Sequence, residues 1–141
     1  MKQRIDVSQL NELTDEQKQK LREWWKPQEG DYIAGEWLNE NDGMELQFLG
    51  IVLNIITDGG ILLDTGGSIR WCPDLPLLSI GQMIELLGTK IMEIMPNADL
   101  PSHETELKTY SVTLCQIKSD DFYFKEPELC DALWQAVKEA L

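Results

Sequence analysis

Apolar residues follow a helical spacing near both ends of this 141-residue chain and mostly a strand-like spacing between them. The first helix is predicted by Thr14 and Gln17, because a Thr followed three residues later by Gln can form a capping box. This helix should end before Pro27, since the residue that precedes a proline avoids helical backbone angles. Its apolar face is narrow, and we expect Trp24 and Trp25 to pack the helix against the rest of the protein.

After residue 30 the chain contains short apolar or alternating runs separated by Asn, Asp and Gly, a pattern typical of strands joined by turns. The predicted strands are residues 32–38, 44–56, 61–64, 91–95, 110–117 and 122–124. Turn-forming residues at 39–43 and 58–60 lie between the first three strands. They predict that these strands form an antiparallel meander.

Two further helices are predicted in the second half of the chain. Ser79 can cap a helix over residues 80–87 that ends at Gly88, and Pro127 is predicted at the first position of a carboxyl-terminal helix. The order of elements indicates an α+β fold, in which a mainly antiparallel sheet is packed by three helices. The length favours a single domain over residues 1–141, with a helical segment at 1–30 and an acidic body at 31–141.

The unusual feature of the composition is its acidity. The chain contains 12 Lys and Arg and 25 Asp and Glu, which gives a formal net charge of -13. Residues 1–30 carry six basic and six acidic side chains, so the excess lies in residues 31–141, where 6 basic residues oppose 19 acidic ones. This charge disfavours direct nucleic-acid or membrane binding and favours a host protein with a basic surface, although solubility alone is an alternative explanation. Candidate contact residues are Glu36, Glu40, Asp42, Glu45, Glu104, Glu106, Asp120 and Asp121.

Cysteine and histidine usage predicts neither a metal site nor a disulfide framework. Cys72, Cys115 and Cys130 are widely separated, so we expect reduced thiols in the core. His103 is the only histidine and has no second His or Cys nearby, so no metal and no cofactor is expected. The chain shows neither the apolar core of a secretory signal nor a membrane-spanning run, which predicts a cytoplasmic protein.

One short motif has catalytic chemistry associated with it. Residues 61–66 end in Asp64-Thr65-Gly66, which resembles the signature of retroviral-type aspartic proteases. That resemblance implies a homodimer in which Asp64 of each copy shares a proton with the other, and in which Gly66 allows the close approach. The alternative is a strand that ends in a turn. The supporting apolar-apolar-Gly element of that family is matched only by residues 86–88, which lie too close and on a predicted helix.

Three segments together resemble small uncharacterised proteins encoded by phages and prophages of Gram-positive bacteria (Firmicutes). They are LTDEQKQKLREWWKPQEGD (13–31), LPLLSIGQMIELL (75–87) and ELCDALWQAVK (128–138). The resemblance implies an accessory phage protein. A single His and no phosphate-binding Gly-rich loop favour a non-enzyme, which we expect to bind a host protein. In that setting the acidity suggests a counter-defence inhibitor that mimics nucleic acid. The alternatives are the aspartic protease-like dimer and a virion or morphogenesis component.

Overall fold

The described part of the chain contains four α-helices and seven strands, which confirms the predicted α+β fold with one helix more than expected. The computed structural model describes residues 2–39, 43–56, 60–66, 74–97, 109–114 and 122–141. The helices are α1 Val7–Leu10, α2 Asp15–Trp24, α3 Ile80–Leu87 and α4 Leu129–Ala140. The strands are β1 Tyr32–Asn39, β2 Gly43–Ile55, β3 Ile61–Leu63, β4 Leu75–Pro76, β5 Ile91–Asn97, β6 Thr109–Leu114 and β7 Phe122–Glu126.

The strands form two separate antiparallel sheets. One has the order β3-β2-β1-β4, and the other has the order β5-β6-β7. The antiparallel meander of β1, β2 and β3 is as predicted. The two-residue strand β4 was not predicted from the sequence. Strand periodicity reports which residues alternate between faces but not which strands pair, so the division into two sheets was not visible in the pattern.

The contacts divide the chain into two compact units, residues 6–78 and residues 1–5 with 79–141. Helix α2 belongs to the same unit as the four-stranded sheet. The first residues of the chain belong to the other unit, where Ile80 N donates to Gln3 O at 3.0 Å and Arg4 forms an isolated antiparallel bridge with Ser79. The single domain expected over residues 1–141 stays a prediction.

In the unit formed by residues 6–78, α2 begins with the predicted capping box. Gln17 N donates to Thr14 Oγ1 at 3.2 Å, and Thr14 N donates to Gln17 Oε1 at 3.0 Å. The helix ends at Trp24, and Trp25 enters an apolar cluster in which Trp24 is a partly buried neighbour. The other buried members of the cluster are Ile33, Val52, Ile61 and Leu63. The packing role expected for the two tryptophans is therefore confirmed.

In the other unit, α4 packs against α3, β6 and β7. Its inner face buries Cys130, Leu133, Trp134 and Val137 completely. Cys130 is a buried, reduced thiol, as predicted, while Cys72 and Cys115 lie outside the described residues. The prediction that Pro127 takes the first helical position is wrong, because Glu128 is the N-cap and the helix begins at Leu129.

The predicted ends of α3 are confirmed. Ser79 and Gln82 form a capping box, and Gly88 terminates the helix with a φ of 51°, in the range that favours glycine. A 3-10 turn at Gly88–Lys90 then leads into β5. None of the helices in the described part of the chain combines the length and the apolar composition required to cross a membrane.

Candidate functional site

Two of the eight candidate contact residues, Glu36 and Glu45, lie in described strands. Glu36 is paired with Leu46 and Glu45 with Trp37 in an uninterrupted stretch of the β1–β2 register. Directly paired residues share a face and successive residues alternate, so Glu36 and Glu45 project from opposite faces of this strand pair. The other six lie outside the described residues, namely Glu40, Asp42, Glu104, Glu106, Asp120 and Asp121, and so does His103. Their contact roles stay predictions.

Glu36 already has a cationic neighbour within its own unit. Arg22 of α2 donates through Nη2 to Glu36 Oε1 at 3.1 Å, and the two side chains are 17% and 39% exposed, respectively. An ion pair with this exposure contributes little to stability, because water screens it and ordering two long side chains opposes it. Its larger effect is to hold one carboxylate oxygen of Glu36 in place on the sheet.

The segment of the chain that forms strands β1 to β3 contains no basic side chain. Residues 27–69 contain no Lys or Arg and eight carboxylates, which are Glu29, Asp31, Glu36, Glu40, Asp42, Glu45, Asp58 and Asp64. Strands β1, β2 and β3 all fall within this segment. The strands of this sheet themselves carry Glu36 and Glu45 and no Lys or Arg, so their own charge is negative, a feature that a charge count over residues 31–141 does not resolve.

Strand β2 also carries two large apolar side chains that remain in contact with water. Phe48 is 49% exposed and Leu53 is 54% exposed. The ring of Phe48 lies 6.0 Å from the ring of Tyr32, centroid to centroid, with an interplanar angle of 40°. Phe48 is paired with the fully buried Ala34, so it projects from the same face as Glu36, its diagonal neighbour on β1.

Two register shifts interrupt the regular pairing of β2. The β1–β2 pairing skips Leu49, and the β2–β3 pairing skips Leu53. An extra residue in one strand reverses the alternation beyond it. As a result Val52, beyond the first shift, joins Leu49 in packing against the apolar cluster around Trp25, whereas Phe48 before the shift projects from the other face and is exposed. The signal available in the sequence was Gly50 inside a long strand pattern, since an isolated glycine there favours a bulge.

Asp64 closes the β2–β3 strand pair. Asp64 N donates to Ile51 O at 2.9 Å, and Asp64 Oδ1 accepts a hydrogen bond from Ile51 N at 2.8 Å. Thr65 Oγ1 donates to Leu49 O at 2.9 Å. These contacts satisfy backbone groups of β2 beyond the end of β3, so the Asp64-Thr65-Gly66 segment has a structural role as a turn. A catalytic role for Asp64 in a dimer stays a hypothesis.

The approach of this turn to β2 requires a glycine at position 50. Gly50 has a φ of 151°, and a Cβ atom added there would lie 2.6 Å from Asp64 Oδ1. Gly66 has a φ of 77°, which also favours glycine, but a Cβ there would meet nothing within 4 Å. Glycine at position 66 therefore allows the positive φ of the backbone. Glycine at position 50 allows both a positive φ and the close approach of Asp64.

The described residues hold no group of three or more His, Cys, Asp or Glu side chains arranged to bind a metal ion. Comparisons of the chain with protein-family models, with curated proteins and with solved structures find no match. The resemblance of residues 13–31, 75–87 and 128–138 to phage-encoded proteins therefore stays an expectation. The strongest candidate site among the described residues is the group formed by Tyr32, Glu36 and Phe48, which project from one face of β1 and β2 beside the buried Ala34 and Leu46. This group is called the Phe48 face.

Proposed function

We propose that this chain is a non-enzymatic binding protein whose four-stranded sheet docks on a basic surface of a partner protein. The observation that carries this proposal is the absence of Lys and Arg from residues 27–69 alongside eight carboxylates. Negative potential concentrated on one sheet speeds encounter with a basic surface and opposes binding to nucleic acid or to a second acidic copy. The exposed Phe48 supplies apolar contact area on the face that carries Glu36, while Glu45 adds negative charge from the opposite face of the same sheet.

The resemblance to phage-encoded proteins supplies the proposed biological setting. There the partner is a host protein, and a host defence nuclease fits because its nucleic-acid groove is basic. Carboxylates that occupy such a groove replace phosphates and release the same counterions. A virion or morphogenesis component is the alternative within this setting, and recovery of the protein in purified phage particles would favour it.

The proposal is tested by measuring how salt affects binding to a host protein captured from lysate and then purified. We expect affinity to fall steeply as salt increases, because the attraction is between opposite charges. Glu45→Lys should weaken binding at low salt and flatten the salt dependence. Glu139→Lys is the matched control, since it makes the same charge change at an exposed position of α4.

Two results would contradict the proposal. One is wild-type affinity that does not change with salt. The other is an equal loss of affinity in Glu45→Lys and Glu139→Lys, which would show that net charge matters and that the sheet does not. If solubility is the whole purpose of the acidity, no saturable basic partner should be found.

A further inference from the structure

We infer that Phe48 and Tyr32 form an anchor for an arginine side chain of the basic partner, with Glu36 beside it as the carboxylate acceptor. This inference rests on the proposed function and names the contact that would give it specificity. Three side chains project from one face of β1 and β2. They are the exposed ring of Phe48, the ring of Tyr32 that lies against it and the part-exposed carboxylate of Glu36.

The position of the Phe48 ring is set by its neighbours. Its backbone is paired with the fully buried Ala34, directly before the bulge at Leu49, and its ring lies against Tyr32 at 6.0 Å. An aromatic side chain on a paired strand, supported by a second ring, loses little conformational entropy when a partner binds. Such anchors dominate the energetics of interfaces more often than mobile loop residues do.

The electrostatics of this surface favour a cation as the occupant. The face of an aromatic ring attracts a positive charge, and the segment that contains Tyr32 and Phe48 provides no Lys or Arg of its own. Arg22 reaches the sheet from α2, where it is engaged with Glu36 Oε1 at 3.1 Å and is only 17% exposed. The partner is therefore the source of the cation that the surrounding carboxylates attract.

The geometry favours arginine over lysine. A guanidinium group is planar, so it can stack on the Phe48 ring while it donates hydrogen bonds sideways to a carboxylate. Glu36 is suitably placed as the diagonal neighbour of Phe48, and its side chain remains 39% exposed beside Arg22. A lysine ammonium is a point charge that remains strongly hydrated, and it gains less from this arrangement.

Other occupants of the Phe48 face are opposed by charge. A second copy of the chain would bring together two molecules that each carry a formal net charge of -13. Nucleic acids and anionic membranes are repelled in the same way. A basic protein segment is the remaining class of partner that gains from both the carboxylates and the exposed ring.

The probe for this anchor is a short peptide in which Arg alternates with Gly, titrated into the full chain at low salt and followed by NMR. A peptide of the same design with Lys in place of Arg is the comparison. We expect the Arg peptide to bind more tightly and to shift the ring resonances of Phe48 and Tyr32. Phe48→Leu, which keeps an apolar side chain but removes the ring, should weaken binding of the Arg peptide by roughly 5- to 30-fold.

Leu53→Ala is the matched control, because Leu53 is an equally exposed apolar residue of β2 that has no aromatic face. It should leave the affinity for the Arg peptide unchanged. Because Phe48 is half exposed, both variants should fold, and a far-UV circular dichroism spectrum checks this. Phe48→Ala provides a second removal of the ring.

The outcomes separate the anchor from the proposed function. If both peptides bind with salt-dependent affinity while Phe48→Leu binds the Arg peptide as well as the wild type does, the anchor is wrong and the acidic binding surface stands. Equal affinity for the Arg and Lys peptides, or ring shifts that appear only on self-association, would also overturn the anchor. If neither peptide binds at low salt, the proposed function fails together with the anchor.

Discussion

The two compact units each bury a tryptophan, but they treat its indole N–H differently. In the unit of residues 6–78, Trp25 Nε1 donates to Asp31 Oδ2 at 2.9 Å, and the same oxygen accepts a hydrogen bond from Gln28 N at 2.9 Å. In the other unit, Trp134 is completely buried, and its Nε1 finds no hydrogen-bond acceptor within the described part of the chain.

This difference shows that the two cores rely on different interactions. Asp31 is only 8% exposed, so the first core contains a carboxylate whose burial is offset by hydrogen bonds from an indole and a backbone amide. The core around Trp134 gains from apolar packing, while an indole N–H that has no acceptor among the described residues opposes its burial. Removing a polar partner should therefore destabilise the first core, whereas removing the indole nitrogen from the second should relieve a cost.

The largest effect is expected from Asp31→Ala. This change leaves the buried Trp25 indole and the Gln28 amide without their acceptor, and it should lower the free energy of unfolding by about 3 kcal/mol. Urea denaturation followed by tryptophan fluorescence measures the difference. Asp31→Asn keeps an oxygen acceptor and should cost less. A variant Asp31→Ala as stable as the wild type would show that the carboxylate does not contribute to this core.

The next largest effect is the difference in stability between the Trp25→Phe and Trp134→Phe variants. Trp25→Phe should cost about 2 kcal/mol, because it removes a donor from the buried Asp31 carboxylate as well as apolar contacts. Trp134→Phe also loses contacts, but it removes the unpaired N–H, so it should cost about 1 kcal/mol or less. Both values come from urea denaturation. The reverse order would imply that Trp134 has an acceptor and that the two cores are alike.

A smaller effect is expected at Asp64, which makes a carboxylate contact like that of Asp31 but at an exposed position. Asp64→Ala removes the acceptor for Ile51 N and should cost about 1 kcal/mol, since water can replace part of the interaction. Asp64→Asn keeps an accepting oxygen and should be nearly neutral. A loss as large as that of Asp31→Ala would show that burial does not explain the difference. If a proteolytic activity were found and abolished by Asp64→Asn, the catalytic hypothesis would replace the structural role.

The smallest effects are expected at the helix caps, where the two units use the same chemistry. Thr14 caps α2 in one unit and Ser79 caps α3 in the other, and each accepts a hydrogen bond of 3.2 Å from the amide three residues later. Thr14→Ala and Ser79→Ala should each lower the free energy of unfolding by about 1 kcal/mol. Equal losses of stability would show that the two units differ in their cores and not in their helix caps. Unequal losses would show that they differ at their helix caps as well.

Much of the local structure was predictable because it depends on residues close together in the chain. A capping box requires two residues three positions apart, so Thr14 with Gln17 indicated where α2 begins, and Ser79 as an N-cap residue indicated where α3 begins. Helix α1 was missed although Asp6 and Gln9 also form a capping box, because its four residues show too little of a helical period.

The candidate site was less predictable. The acidic residues near the first turn were recognised from their charge, but the opposite orientation of Glu36 and Glu45 depends on strand register. The burial of Val52 in the Trp25 cluster depends on a single extra residue, Leu49, in the pairing of β2 with β1. A period-two pattern cannot locate such a residue, because a bulge is defined by the partner strand.

The sequence by itself determined the α+β class, the beginnings of α2 and α3 and the acidic character of the chain, since these follow from local spacing and composition. Only the tertiary structure decided that the strands divide into two sheets, that Asp31 is buried against Trp25, and that Phe48 faces water beside Glu36. Each of these depends on contacts between strands or between a helix end and a strand. A side chain is buried or exposed according to which residues pack against it. Those residues come from parts of the chain that are distant in sequence, so local spacing does not identify them.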